Sequence, residues 1–182
     1  MNSTYLAYSF LYDDAADLRC DFELLTDEIA SMTGLLRSLL SRQDAAALPE
    51  ARSDLERVNR LVYHLNPSLR AGVGVTPEEL AWLHRKTMSL QEAAQDHIPR
   101  TLEGEPTFLI PQGCTPAALS HVLRCKCKTL ARLVSRHQQG GHEVDELVFD
   151  FANLLSGYFY SLALALNKSR GEKEQLFISR AY

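Results

Sequence analysis

The sequence predicts an all-α protein, a bundle of five helices. Apolar residues recur at spacings of three and four in five separate stretches, which is the period of an amphipathic helix. Threonine-proline pairs stand where helices should begin, and glycines or an asparagine-proline pair stand where they should end. These observations together favour long helices joined by short turns, and hence a single helical bundle.

Each predicted helix buries one apolar stripe against its neighbours. The first two stripes are Phe22, Leu25, Ile29, Met32, Leu36 and Leu39, then Leu55, Val58, Val62 and Leu65. The third is Leu80, Leu83, Thr87, Leu90 and Ala94, and the fourth is Leu119, Leu123, Leu130 and Val134. The fifth is Val144, Phe151, Leu155, Tyr158 and Leu162.

The boundaries follow from capping chemistry. Thr76-Pro77 and Thr115-Pro116 each place a hydroxyl cap before a proline at the first helical position. The segment Gln43 to Ala51 either merges the first two helices or forms their turn. The connection from Pro99 to Gly113 is longer than bundle loops usually are, and long ordered loops are often functional.

Composition indicates an ordinary globular protein. The 182 residues are 46% hydrophobic and 23% charged, which suits one domain spanning 1–182 with its own core. A formal charge of -4 gives no bulk attraction to nucleic acid or to acidic membranes. Neither a secretory signal nor a membrane-spanning apolar run is recognised, so we expect a cytoplasmic protein that binds no nucleic acid and no membrane.

The four cysteines are predicted to be free thiols in a reducing compartment. Cys125 and Cys127 are two residues apart, so on a helix their side chains point about 200° from each other. No second Cys or Cys/His pair completes a tetrahedral ligand set, and we therefore predict no metal site.

Cationic residues on the fourth helix suggest an anion site. His121, Arg124, Lys128 and Arg132 step by three, four and four, which predicts one continuous stripe along one face. Such a stripe suits a polyanion such as a triphosphate. A solvated surface face is the alternative, because charge runs are usually just surface.

Two further polar residues interrupt apolar stretches. Asp27 is next to Ile29 in the first stripe, so it is either a buried carboxylate paired with a cation such as Arg124 or an ordinary surface acid. Asn153 lies in the apolar run of the fifth helix and must either meet solvent or hydrogen-bond inside the bundle.

Three motifs resemble the PduO-type ATP:cob(I)alamin adenosyltransferases. The family pattern Phe-[Ile/Val]-Leu-Pro-Gly-Gly stands here as FLIPQG, and the pattern Leu-His-x-Ala-Arg-Thr-x-x-Arg-Arg-Ala-Glu-Arg stands as SHVLRCKCKTLAR. The Asn-Arg-Leu-Ser-Asp pattern of the last helix stands as NLLSG, and TDEIASMTGLL resembles the first helix of the family. The resemblance covers roughly Asp17 to Leu166.

The resemblance implies a five-helix bundle that assembles as a homotrimer with active sites between subunits. ATP and cobalamin would be the substrates, with Mg²⁺ accompanying ATP, and cobalt(I) would attack the 5' carbon of ATP to release triphosphate. It further implies that Phe108 presses on the lower face of the corrin and that His121 belongs to the corrinoid side. Arg124 would pair with Asp27 across the subunit contact, and the product would pass to an adenosylcobalamin-dependent enzyme.

On the nucleotide side the resemblance implies that Lys128 and Arg132 hold the phosphates and that Asn153 lines the site. This side departs from the family pattern. The family's Thr-x-x-Gly-Asp-x-Gly-x-Thr loop has no counterpart in MNSTYLAYSFLYDDAA, where the hydroxyls of Ser3, Thr4 and Tyr5 are candidate substitutes. Other family residues are replaced in the last two helices by Lys128, Thr129, Ala131, Leu154 and Gly157.

Three functions follow from this mixture of matches and departures. The first is an active adenosyltransferase that uses substitutes in its ATP site. The second is a non-catalytic corrinoid-binding or regulatory relative, and the third is a bundle that has lost both ligands.

Overall fold

A computed structural model describes residues 14, 16–97 and 107–180 of the chain. Within these ranges there are six helices and two short strands. The helices are α1 (Leu18–Leu39), α2 (Arg42–Ala47), α3 (Ala51–Leu65), α4 (Pro77–Ala94), α5 (Thr115–Gln139) and α6 (Glu146–Arg170). The strands are β1 (Thr107–Leu109) and β2 (Leu176–Ile178), which pair antiparallel.

The bundle is organised around α6. This helix packs against α5 on one side and α4 on the other, while α1 packs against α3 and α5. Phe151, Leu155 and Phe159 of α6 are completely buried among these neighbours. By length and composition α6 could cross a membrane, but 61% of its most apolar window is buried inside the protein, as expected of a core helix.

Five of the helices correspond to the five predicted stripes, and the stripe residues are mostly buried. Leu39 is an exception, because it lies at the last position of α1 and is 37% exposed. The segment from Gln43 to Ala51 neither merges the helices nor forms a simple turn. It contains most of the six-residue helix α2. Ser41 and Asp44 cap the N-terminus of this helix with reciprocal hydrogen bonds.

The two predicted threonine caps have different outcomes. Thr76 caps α4 as expected, since its hydroxyl accepts from the Glu79 N–H and the Glu79 carboxylate accepts from the Thr76 N–H. The prediction that Thr115 caps α5 is wrong. The N-cap residue is Cys114, and Thr115 is the first residue of the helix. The proline at position 116 still falls in the first turn, where its missing N–H costs no helical hydrogen bond.

The purely helical prediction is also incomplete. Residues 107–109, expected to be part of a loop, form β1 and pair with the C-terminal strand β2. The rest of that predicted loop up to residue 106 lies outside the described residues, as do Ser3, Thr4 and Tyr5.

Cys125 and Cys127 lie on different sides of α5, as their spacing predicts. Cys125 is exposed, whereas Cys127 is completely buried in the core. Burial raises the pKa of the Cys127 thiol well above its ordinary value, so this side chain behaves as a small apolar group.

Candidate functional site

An exposed aromatic pair stands on the two-stranded sheet. Phe108 and Phe177 are directly opposite in the antiparallel register, so their side chains lie on the same face of the sheet. They are 51% and 49% exposed, an unusual degree for phenylalanine. The neighbouring Leu109 belongs to the other face and packs against the buried residues Ala94, Leu164 and Ala165. The alternation of the strand therefore anchors one face and presents the aromatic pair on the other.

Phe177 was not among the residues predicted from sequence. Its strand has only three residues and lies 67 positions after β1 in the chain, so no periodic pattern connects the two. The only available signal is the apolar triplet LFI after the last glycine. Pairing with Phe108 gives this triplet a place in the site.

Tyr160 connects the sheet to α5. It packs against the same buried group of Ala94, Leu164 and Ala165 that supports Leu109. The guanidinium carbon of Arg124 lies 5.6 Å from the centre of the Tyr160 ring, which is a cation–π distance. Burial raises the pKa of the Tyr160 phenol, so the ring is neutral at physiological pH. Arg124 and the aromatic pair thus lie at the same end of the bundle.

His121 is located behind this contact and does not line an open surface. It is only 3% exposed, and its ring lies 6.2 Å from that of Tyr160. Burial, together with the nearby Arg124 guanidinium, lowers the pKa of His121 to about 4. Both ring nitrogens lack a hydrogen-bond partner in the described part of the chain, and so does the buried Nε of Arg124. Its burial disfavours the predicted contact of His121 with the corrinoid. The side chain instead lies on the buried side of Tyr160 and Arg124.

The predicted cationic stripe is split between two surfaces. Each step of four residues advances about 40° around a helix of 3.6 residues per turn, so the stripe drifts as it ascends α5. Arg124 consequently packs against α6, whereas Arg132 lines a cleft between α1 and α5. Lys128 is exposed between them. The continuous stripe predicted for a single face is wrong in this respect.

The cleft between α1 and α5 has a volume of about 520 Å³ and carries both signs of charge. Arg132 and Arg136 line it together with Asp21, Glu28 and Thr129. Glu28 is also held by an ion pair with Lys126 of α5 at 2.6 Å. The arginine side of the cleft has the charge to attract a phosphate group, whereas the carboxylates on its other side partly neutralise the arginines.

Asp27 is exposed, and within the single chain it does not meet Arg124. Its carboxylate accepts a hydrogen bond from the Tyr63 hydroxyl at 3.0 Å, on the surface between α1 and α3. Of the two alternatives, the surface position is the one found, because Asp27 and Glu28 lie on the exposed side of α1, before the buried residues Ile29 and Ala30. Any pairing with Arg124 must come from a second subunit.

Asn153 is exposed on α6, so it meets solvent rather than an internal partner. It lies seven residues before Tyr160, two helical turns along the same face. Because α5 and α6 are consecutive packed helices joined by a short turn, they run antiparallel. Starting from the Arg124–Tyr160 contact, this direction brings Asn153 level with Arg132. Asn153 and Arg132, both predicted to bind the nucleotide, are therefore at the same height along the bundle.

The fold and this site define a class: a helical bundle that presents an aromatic pair at one end and arginines along an adjoining helix. The model of the cobalamin adenosyltransferase family matches residues 16–166. The chain belongs to the cobalamin adenosyltransferase family. The comparison with curated proteins finds no significant match.

Solved structures with the same fold include variants of the PduO-type ATP:corrinoid adenosyltransferase from Lactobacillus reuteri. A variant with histidine in place of phenylalanine, complexed with cobalamin and ATP, has a TM-score of 0.73 and 21% identity, covering 88% of this chain and 84% of that chain. A variant with lysine in place of arginine, complexed with ATP, has a TM-score of 0.73 and 22% identity, covering 89% and 88%. At these identities the likeness shows a shared fold.

Proposed function

We propose that this family member transfers the 5'-deoxyadenosyl group of ATP to cob(I)alamin and that the Phe108–Phe177 pair contacts the corrin. The observation that carries the proposal is the exposed aromatic pair, held in register by the sheet at the same end of the bundle as Arg124. A corrin is a broad ring with apolar faces, and two adjacent phenyl rings are a suitable surface for it. One of the matching solved structures is complexed with cobalamin and ATP and another with ATP, which supports the choice of ligands.

The chemistry needs no nucleophilic side chain. Cobalt(I) of the substrate donates the electron pair that forms the cobalt–carbon bond, and the bond between the 5' carbon and the triphosphate oxygen breaks. The protein has to orient two substrates, exclude water from the corrin face and neutralise the leaving triphosphate. Phe108 and Phe177 serve the second requirement, while Lys128 and Arg132 serve the third.

For the nucleotide we propose Lys128 and Arg132 of α5 as phosphate ligands, with Asn153 of α6 at the same height along the bundle. Neither cation makes an ion pair within the described residues, so both are available to phosphate oxygens. Mg²⁺ would arrive with the triphosphate, and Asp21 is a carboxylate that lines the same cleft as Arg132. We also propose that the protein is cytoplasmic and that its product passes to an enzyme that uses adenosylcobalamin.

The deciding experiment is anaerobic mixing of the purified protein with chemically reduced cobalamin and ATP, followed by absorbance. We expect the spectrum of cob(I)alamin to be replaced by that of adenosylcobalamin, with triphosphate released in equal amount. A protein that binds the corrinoid but yields no product with any concentration of ATP would contradict the enzymatic assignment.

A non-catalytic corrinoid-binding or regulatory role is the second candidate, and the replaced nucleotide positions favour it. Ala131 is buried against the core where the family pattern has a glutamate, and Thr129 directs its hydroxyl to the Cys125 carbonyl oxygen at 3.2 Å. Neither residue replaces the lost charge. A spectral change with corrinoid alone, without product and without a shift in melting temperature by ATP, would support this candidate.

We also propose a homotrimer in which Asp27 of one subunit pairs with Arg124 of the next. The partly buried Arg124 has an Nε without a partner in the described residues, and the exposed Asp27 accepts a hydrogen bond from the neutral Tyr63 hydroxyl. Arg124→Ala is expected to weaken assembly by roughly 2–5 kcal/mol, because truncating one partner leaves the other charge unpaired at the interface. Asp27→Asn should act in the same direction with a smaller effect.

Analytical ultracentrifugation over a concentration series measures this assembly. Glu92→Gln, which removes an exposed carboxylate from α4, is the control and should leave the association constant unchanged. Equal sedimentation of wild type, Asp27→Asn and Arg124→Ala at every concentration would exclude the intersubunit pair.

A further inference from the structure

Asn167, in the last turn of α6, joins three separate segments of the chain. It is completely buried. Its side-chain oxygen accepts a hydrogen bond from the Cys114 N–H at 3.1 Å. Its amide nitrogen donates to the Gln112 carbonyl oxygen at 3.0 Å and to Glu174 Oε1 at 2.8 Å. One side chain therefore ties α6 to the turn before α5 and to the segment before β2.

Gly113 shows independently that this arrangement is built around the amide. Its φ is 115°, which favours glycine, and a Cβ placed there would lie 2.0 Å from the Asn167 oxygen. The backbone therefore passes directly against the Asn167 side chain. Any other residue at position 113 would displace either the turn or the amide.

We call the three hydrogen bonds of Asn167 to Gln112, Cys114 and Glu174 the clamp. The segments that the clamp holds are the ones that carry the aromatic pair. Gln112 follows Phe108 by four residues, and Glu174 precedes Phe177 by three. Two more hydrogen bonds join the segments: the Ile110 N–H donates to the Gln175 carbonyl oxygen at 2.8 Å, and the Gln112 side chain donates to that of Gln175 at 3.0 Å. Two strands of three residues are not stable by themselves, so their register depends on such anchors.

We infer that Asn167 is a positioning residue for corrinoid binding, because its hydrogen bonds to Gln112, Cys114 and Glu174 hold Phe108 and Phe177 opposite each other. This inference rests on the proposed function. Asn167 does not touch the substrate; it acts through the two phenyl rings. Loosening the clamp should therefore weaken binding of the corrinoid and leave binding of ATP at the other surface unchanged.

Asn167→Asp is the sharpest test, because it keeps the size of the side chain while it replaces the donor amide with an acceptor carboxylate. The new carboxylate would face the Gln112 carbonyl oxygen and the Glu174 carboxylate, both acceptors. We expect the KM for cob(I)alamin to rise about tenfold while the KM for ATP stays within twofold. Adding Glu174→Gln restores a donor opposite Asp at position 167, and the double variant should recover part of the loss.

A second readout does not depend on activity. Cys114 is buried beside the amide, so its alkylation rate in the native protein reports on the clamp. Peptide-resolved mass spectrometry after iodoacetamide treatment should show Cys114 modified about tenfold faster in Asn167→Asp, with Cys127 still protected. Glu174→Ala lies outside α6 and should give an intermediate rate even if Asn167→Asp folds poorly.

Asn59→Asp is the matched control. The Asn59 amide donates to the Ala30 carbonyl oxygen at 2.9 Å, between α3 and α1, away from the sheet. It should lower the melting temperature without changing either the Cys114 rate or the ratio of the two KM values. Equal effects of Asn59→Asp and Asn167→Asp on all readouts would overturn the inference. Absence of adenosylation in wild type would refute the proposed function alone, since the alkylation rates still test the clamp.

Discussion

Phe108→Ala is expected to reduce kcat/KM for cob(I)alamin by roughly 100-fold, the size of effect that misplacing a reacting group by about an ångström can have. The side chain is half exposed and belongs to a three-residue strand, so its removal creates no cavity in the core. The loss should therefore appear in activity with little change in melting temperature. Steady-state kinetics with each substrate varied in turn, together with thermal melts, measures both.

Two variants make this prediction specific. Phe108→Leu keeps an apolar side chain without the ring and should fall between wild type and alanine. Met88→Ala removes a similarly exposed apolar side chain from α4 and should leave the kinetics unchanged. If Phe108→Ala and Met88→Ala have equal kcat/KM, the aromatic pair has no role in corrinoid binding.

Arg170→Met is expected to destabilise the fold by about 3–5 kcal/mol, because it strands a buried carboxylate. Asp44 is completely buried, and Arg170 donates to its two oxygens at 3.0 and 2.6 Å. For a chain of this size the melting temperature should fall by roughly 10 °C. Arg60→Met removes an exposed arginine that pairs with Glu56 one turn earlier, and should cost less than about 1 kcal/mol.

The dependence on pH provides a second check of the Asp44–Arg170 pair. Burial of Asp44 opposes its ionisation, but its hydrogen bonds to Arg170 and Ser41 prevail and hold its pKa below the ordinary value of 3.8. The unfolded chain therefore takes up the proton first as the pH falls, and the stabilisation present above pH 3.8 is lost below it. Urea unfolding should show the gap between wild type and Arg170→Met closing in that range. A gap that does not narrow between pH 5 and pH 3 would show that Arg170 acts through packing instead.

Much of the fold could be predicted because its signals are local. The stripe through Phe22, Ile29 and Leu36 repeats every three or four residues, and such a stripe predicts both a helix and its buried face. The Thr76-Pro77 start of α4 was predicted for the same reason, since cap and first turn are adjacent in the chain. The motif from Phe108 to Arg132 likewise indicated the family without knowledge of any distant contact.

The errors concern properties that depend on distant partners. Sequence reasoning considered Asp27 as a candidate buried acid and did not single out Asp44, which is completely buried because α6 brings Arg170 to the short helix α2. The cationic stripe of α5 was predicted to lie on one face, but Arg132 adjoins α1 and Arg124 adjoins α6. Which neighbour a side chain meets depends on where the other helices pack.

The sequence by itself determined the long helices, most of their buried faces and the family, since helical periodicity, caps and motifs are encoded within a few turns. Only the tertiary structure decided that Phe108 has a partner in Phe177 and that Asn167 holds the two segments together. The physical reason is separation along the chain. Hydrogen bonds between residues more than fifty positions apart leave no periodic trace in the sequence, and they form only when the packed bundle has brought both ends of the site to one place.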